Sequence, residues 1–471
     1  MQVQIKNIGI INDSKIDVNG LTIVTGKNNS GKTTLGKILY SLFYSKEKLF
    51  ETATEDIIYY VEEKLSEVIR NSVVAMLIRK AYRKDNFEKD ILYTAYRGQL
   101  PKFESLDEIQ NYILCVCEEL DNLTFSTIKE KYGNVVFSQQ YKDEKQFKSE
   151  IDRIKTECKG IITEIEKLSD FNLYETSKIY KMLKREFNEQ ISPVRKSNAF
   201  LSYISLEDEN DFFKIEIDNK KKDINVDGFF TFNNLTNVVF IDDTTVIDSV
   251  VPYAFRYKKY NGHYNVIQGI EDAISVIDHK YSLIYKLSEN NSIVKSIIDS
   301  DAYDFINNEI SSVFEEEIIL KENKFICASD GLTLSNLATG SKMFAILKML
   351  LSNGNLNSKT LLILDEPEAH LHPEWQNKLA EIIVLLVKVL NINVVITSHS
   401  SNFVLALQTY SIKHQIEDKT NFYLTTKNDD EYTVDYQKMN SKLNDVYVEF
   451  AKPFSEIKAK FDALRFGDEN G

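Results

Sequence analysis

The chain has 471 residues, 43% apolar and 27% charged, with a formal net charge of −14. That is enough apolar material for two or three folded domains. The acidic balance excludes a surface coated for non-specific nucleic-acid binding, though it leaves room for one basic groove.

Residues 2–24 alternate apolar and polar, with turn signals at Asn12-Asp13 and Asn19-Gly20. This predicts a β-hairpin leading into a buried strand, Leu21-Thr22-Ile23-Val24. An amphipathic run from Leu35 to Phe43 predicts a helix. From 46 to 225 glycines become rare, and apolar residues recur at three- and four-residue spacing, as in Val61, Leu65, Val68 and Ile69. That texture predicts a mostly helical insertion lobe broken at Pro101 and Pro193, between the two parts of an α/β head, 1–45 and 226–471. Strand texture returns at 236–241, ending at Asp242-Asp243. Helix is expected over 265–315, then two short strands joined at Glu322-Asn323. The last part should hold a helix from 337 through Leu351, strands ending at Asp365 and Thr397, two strands at 421–426 and 432–436, and a helix at 443–464.

Within that frame, Gly26-Lys27-Asn28-Asn29-Ser30-Gly31-Lys32-Thr33 matches the phosphate-binding pattern G-x-x-x-x-G-K-T without a mismatch. A strand precedes it and a helix follows, which is the context that loop requires. Gly26 and Gly31 let backbone N–H groups turn inward. Asn28, Asn29, Ser30 and Thr34 complete the cradle, and the helix N-terminus adds partial positive charge. Lys32 is expected on the β- and γ-phosphates of ATP, and Thr33 on Mg²⁺. Four apolar residues then end in Asp365-Glu366. Asp365 belongs at a strand's C-terminal edge, where it can hold Mg²⁺, and Glu366 one step beyond, where it can deprotonate a water. His399 follows another buried strand, where it can contact a γ-phosphate. Thr339, Gly340 and Ser341 open a helix suited to an anion. One nucleotide can accept only one such helix in cis, so a site completed by a second copy of the chain is expected.

This set resembles an ABC-type ATPase head of the kind found in Rad50, RecF and SMC proteins. The stretch Asp365-Glu366-Pro367-Glu368-Ala369-His370-Leu371-His372-Pro373 resembles the subgroup containing the OLD-family nucleases and stand-alone defence ATPases. The resemblance implies that 337–342 is the signature-like loop, that the stretch after Glu366 crosses a dimer interface, and that His399 is the switch histidine. Among such relatives the chain looks most like the ATPases of Septu anti-phage systems, which act with a separate HNH nuclease. The alternatives are a RecF-like repair ATPase that binds duplex DNA, and a slow ATPase scaffold that restrains a toxin. Ala338 stands where the signature motif usually has Ser, and the Q-loop glutamine has four candidates, Gln99, Gln139, Gln140 and Gln268.

Several features point to no chemistry of their own. Basic stretches at 79–84, 178–196 and 220–222 read first as solvated faces or turns. Cys115 and Cys117 are separated by one residue, not the two of a zinc or redox pair, and packing in a reducing cytoplasm is expected for the four cysteines. His370 and His372 lack the neighbours a metal site needs. Asp429-Asp430-Glu431 reads as a hairpin turn. No TOPRIM, HNH, Ser–His–Asp or cysteine-nucleophile pattern is present, so the effector is expected on another chain. Met1–Lys6 lacks the features of a secretion signal, and the most apolar run, 382–396, is too short and too polar to span a bilayer.

Overall fold

The computed structural model describes residues 1–47, 49–72, 74–75, 91–103, 105–124, 126, 144–168, 171–193, 201–208, 211–221, 223–228, 235–248, 276–288, 300–428 and 432–466. The chain divides into two compact units. One holds 1–47, 179–258 and 277–471, and the other holds 48–178 and 259–276.

Among the described residues, the first unit is built on a sheet of eleven strands. Strands β1 (Gln2–Ile8) and β2 (Ile11–Asp17) form the expected antiparallel hairpin, and β3 (Leu21–Thr25) leads to the glycine loop. Helix α1 (Lys32–Tyr44) follows it. The second unit carries α2 (Leu49–Arg70), α3 (Ile91–Arg97), α4 (Leu106–Asn122) and α5 (Glu144–Leu168). Their apolar faces meet, α2 against α3 and α5, and α4 against α3 and α5. Helix α6 (Phe171–Glu186) comes next.

The insertion lobe is smaller than the sequence texture suggests. Residues 201–228 are not helical: β4 (Leu201–Glu207), β5 (Phe212–Asp218) and β6 (Asp223–Gly228) extend the large sheet, with β4 antiparallel to β1. Lys220 and Lys221 are turn residues whose backbone N–H groups are held by the Asp218 carboxylate. The patch at 79–84 lies outside the described residues.

Strand β7 (Asn237–Ile241) returns to the parallel part of the sheet, followed by α7 (His279–Ser288) and α8 (Ser300–Ser311). The hairpin β8 (Ile318–Lys321) and β9 (Lys324–Cys327) turns through Glu322 and Asn323, both at positive φ, as a two-residue hairpin loop demands. Then come α9 (Thr339–Ser352), β10 (Thr360–Asp365), α10 (Pro373–Leu390), β11 (Asn393–Ser398), α11 (Ser401–Lys413), β12 (Thr420–Lys427), β13 (Val434–Lys438) and α12 (Leu443–Phe466). Pro373 opens α10 at the position where its missing N–H costs nothing, and Asn391 closes it in the left-handed region.

Strands β12, β3, β11, β10 and β7 lie side by side and parallel, so their C-terminal ends share one edge. Side chains alternate between the sheet's faces. Val239, Ile241, Leu362, Leu364, Val394 and Ile396 face the main core with α9, α10 and α11. Phe240 and Ile363 face the other way, against α1 at Gly36. Among the described residues no helix is long and apolar enough to cross a membrane.

Gly36 is a sharp test of this packing. A Cβ there would lie 2.7 Å from Phe240 Cζ and 2.9 Å from Cε2. The Phe240 ring is itself confined by His279, 4.4 Å away between centroids. Alanine gains about 1 kcal/mol of helix propensity over glycine, but overpacking costs about 1–3 kcal/mol. Gly36→Ala is therefore expected to lower unfolding stability in a urea titration; a net gain would show that the helix–sheet spacing is looser than described.

Candidate nucleotide site

The glycine loop spans the gap between β3 and α1 at the shared strand edge. Gly26 has φ 153°, and a Cβ on it would meet Thr425 Oγ1 at 1.8 Å, so both backbone and space demand glycine. Gly31 caps α1 in the left-handed region (φ 75°), and no side chain caps the helix, which leaves its first N–H groups to the loop's interior. The Tyr436 hydroxyl, from β13, donates to the Gly31 carbonyl at 2.6 Å and fixes the loop from behind. Burial raises that phenol's pKa, so it stays a donor. Ser30 is buried and Asn28 and Asn29 are exposed. Thr34 sits under the β1–β2 turn, its Cγ2 2.8 Å from where a Cβ on Gly9 would lie. Lys27 reaches Glu449 of α12 at 3.0 Å, tying the loop to the last helix.

Lys32 is nearly buried. Its ammonium donates to the carbonyls of Gly26 (3.0 Å) and Lys27 (2.9 Å) and lies 3.7 Å from Glu366 Oε1. Thr33 Oγ1 donates to Asp365 Oδ2 at 2.5 Å, and Thr397 Oγ1 donates to the other carboxylate oxygen. Burial raises the Asp365 pKa; the two hydroxyls oppose that shift, while Glu366 and Asp242 add to it. A half-buried acid held by hydroxyls, with the Thr33 oxygen beside it, suits a hard divalent cation. Thr33 and Asp365 can therefore hold Mg²⁺. The buried Thr25, Ser30 and Thr425 hydroxyl oxygens have no hydrogen-bond partner. A Cβ on Gly26 would meet two of them, so these unsatisfied polar atoms lie at the start of the glycine loop.

Glu366 has φ 49°, unusual for a residue with a side chain, and its N–H is held by the Thr397 carbonyl at 3.0 Å. That bend takes its carboxylate off the strand line to within 3.1 Å of His399 Nδ1. So Lys32, Thr33, Asp365, Glu366 and His399, separated by up to 367 positions in sequence terms, meet on one edge.

Thr339, Gly340 and Ser341 open α9 as expected, behind Ala338, whose side chain makes no capping bond. The surroundings of Gly340 are a surprise. A Cβ there would lie 3.0 Å from Leu371 Cδ2 and 3.3 Å from the His370 carbonyl, so the glycine seats this chain's own loop after Glu366. His370 is exposed, and His372 Nδ1 accepts from the Glu374 N–H at 3.4 Å as a helix cap. No cluster able to hold a metal through three His, Cys, Asp or Glu side chains occurs among the described residues. Gln99 lies two residues past α3 in the helical unit, and Gln139, Gln140 and Gln268 lie outside the described residues.

Two features of the site escape motif reading. Glu368 is buried and accepts from Ser398 Oγ (2.5 Å) and from the His399 N–H (3.3 Å), so it holds the turn that presents His399. Burial raises its pKa. The second glutamate of Asp-Glu-Pro-Glu was the available signal. The other feature is Asp242, which follows the residue paired with Leu364 and so stands level with Asp365. His279 bridges Asp242 (3.0 Å) and Glu186 (2.8 Å). Nothing local in sequence joins these three.

The strand edge, loop and carboxylates define a P-loop nucleotide-binding protein. The AAA ATPase domain family model matches residues 1–404, and the chain belongs to that family. No curated protein matches. Solved structures that align with it include an SMC head bound to the C-terminal winged-helix domain of ScpA, at 10% identity, covering 94% of this chain and 98% of that one, with a TM-score of 0.39. The SMC head domain from Thermotoga maritima aligns at 10% identity over 93% and 97%, TM-score 0.36. A Pyrococcus furiosus SMC head with an extended coiled coil, bound to the C-terminal domain of ScpA, aligns at 9% over 95% and 98%, TM-score 0.38.

His279 gives a pH prediction. Burial alone would lower its pKa, but the Asp242 and Glu186 carboxylates outweigh burial and lift it to about 9. A group raised in the folded state contributes fully below its unfolded pKa of about 6.5 and loses that contribution as pH rises through about 9. Unfolding free energy should therefore fall by up to roughly 3 kcal/mol between pH 6 and 10 from this group. In His279→Gln that part of the slope should vanish. An unchanged pH profile in a folded His279→Gln protein would remove the ion-pair reading.

Proposed function

We propose that the chain binds and hydrolyses ATP as an ABC-type head, at a site that a second copy completes. The observation that carries this reading is the convergence of Lys32, the Thr33–Asp365 pair, Glu366 and His399 at one strand edge. ATP phosphates replace the loop carbonyls on Lys32 and draw on the backbone N–H groups of 26–34. Mg²⁺ held by Thr33 and Asp365 would neutralise charge on the β- and γ-oxygens. Glu366, off the strand and beside His399, orients the attacking water and takes its proton. His399 meets the γ-phosphate, held in place by Glu368 through the backbone and Ser398. The N-terminus of α9, at Thr339–Ser341, serves the nucleotide of the opposing subunit.

At the finer level, the resemblance to PtuA, the ATPase of Septu systems, supports a role in anti-phage defence with a separate HNH-type nuclease as effector. The acidic net charge supports control of an effector over direct coating of DNA.

Lys32→Ala should abolish high-affinity binding of a non-hydrolysable ATP analogue in calorimetry. Glu366→Gln keeps the shape of the side chain but removes the base. It should retain binding and slow hydrolysis by roughly 10²–10⁴-fold. Unchanged turnover in Glu366→Gln would refute the base assignment.

Complementation tests the shared site. Gly340 is a poor choice of variant, because any side chain there strikes this chain's own Leu371. Ser341→Asp is the cleaner one. Subunits carrying Lys32→Ala, mixed with Ser341→Asp subunits, should regain ATPase activity that neither has alone, since one site of each mixed dimer is intact. Mixed dimers that form and stay inactive would count against independent composite sites.

A further inference from the structure

Helix α12 changes character along its length while keeping one face. Val446 belongs to the core, and Leu443, Tyr447 and Phe450 pack against it. The same stripe continues through Phe454, Ile457, Phe461 and Leu464, at spacings of three, four and three residues. There it meets solvent, with exposures of 70%, 61%, 55% and 83%. From 451 to 465 only Asp462 is even partly buried. A helical stretch of this length is marginal in water without packing, and four large apolar side chains aligned on it mark an interaction surface.

The width and flanks of the stripe say what fits. At 100° per residue the four side chains span a narrow seam, two per two turns, as in helix-to-helix pairing. Lys458 and Arg465 border it on one side and Lys460 on the other. Glu456 and Asp462 lie further round, away from the seam. Arg465 lies over the Phe461 ring at 5.8 Å, which keeps positive charge at the seam's edge. Two copies joined through this face would set these basic rows against each other in either orientation, a like-charge arrangement that coiled coils avoid. A bilayer suits the seam poorly, because an interfacial helix needs a wider apolar face and the chain's net charge of −14 opposes approach to anionic lipid.

We infer that residues 454–465 of α12 dock an amphipathic helix of a partner protein whose apolar seam is flanked by acidic side chains. The surface does not depend on the ATPase reading. Its root lies beside the glycine loop, where Glu449 pairs with Lys27.

The test uses the full chain and two synthetic peptides of about four heptads, both with Leu at the seam positions. One carries Glu at the flanking positions and the other Lys. In fluorescence anisotropy the Glu peptide should bind at least about ten-fold more tightly than the Lys peptide, and added salt should narrow the gap. Phe461→Glu/Leu464→Glu should lose the Glu peptide while keeping the wild-type melting temperature and ATP-analogue affinity. Hydrogen exchange over 454–465 should be fast in the free chain and slow with the peptide. Equal affinity for both peptides, or binding that survives the double substitution, overturns the inference. So does slow exchange in the free chain, which would mean that the stripe is already covered. Self-association abolished by the double substitution would assign the face to a second copy, and co-sedimentation with phosphatidylserine vesicles abolished by it would assign the face to a membrane.

Discussion

The site rests on one half-buried carboxylate. Asp365 ends β10, and its two oxygens are claimed by hydroxyls from two other elements, Thr33 at the start of α1 and Thr397 in β11. Withdrawing a carboxylate from water is costly unless it is hydrogen-bonded, and this one is bonded on both sides. The bonds fix the glycine loop, β10 and β11 to a common origin. Everything else at the edge takes its place from there. Glu366 hangs its backbone on Thr397, and His399 emerges two residues beyond that threonine.

The parts of this arrangement that are contiguous in sequence were legible in it. The glycine loop carries its own geometry, because left-handed and crowded positions admit few residues but glycine. The parallel strands announce themselves as apolar runs, since both faces are covered. Strands β4 to β6 were not legible. Segments such as Phe212–Asp218 alternate properly, with Phe213, Ile215 and Ile217 buried, but they follow a long helical stretch and are few in residues. What makes them sheet is the pairing of β4 with β1, nearly two hundred positions earlier. Local pattern cannot supply that partner.

The charged cluster of Asp242, His279 and Glu186 failed for the same reason in a different form. Each residue reads alone as an ordinary surface group, and only the folded chain places a histidine between two acids. Glu368 lay in plain view within the acidic motif, but its work is done on Ser398 and His399, thirty positions away. Gly340 carries a constraint that the motif does not announce, because its own chain presses on it from the His370 carbonyl and Leu371. The start of α9 and the loop after Glu366 thus pack too closely within one subunit to admit a side chain at 340 without displacement.

Lys32 already spends its hydrogen bonds on the carbonyls of Gly26 and Lys27, with Glu366 close by. A nucleotide arriving there enters an exchange: each phosphate oxygen that the ammonium takes up releases a carbonyl that must find another donor or turn to water. The enthalpy of binding is then a difference between two similar sets of bonds.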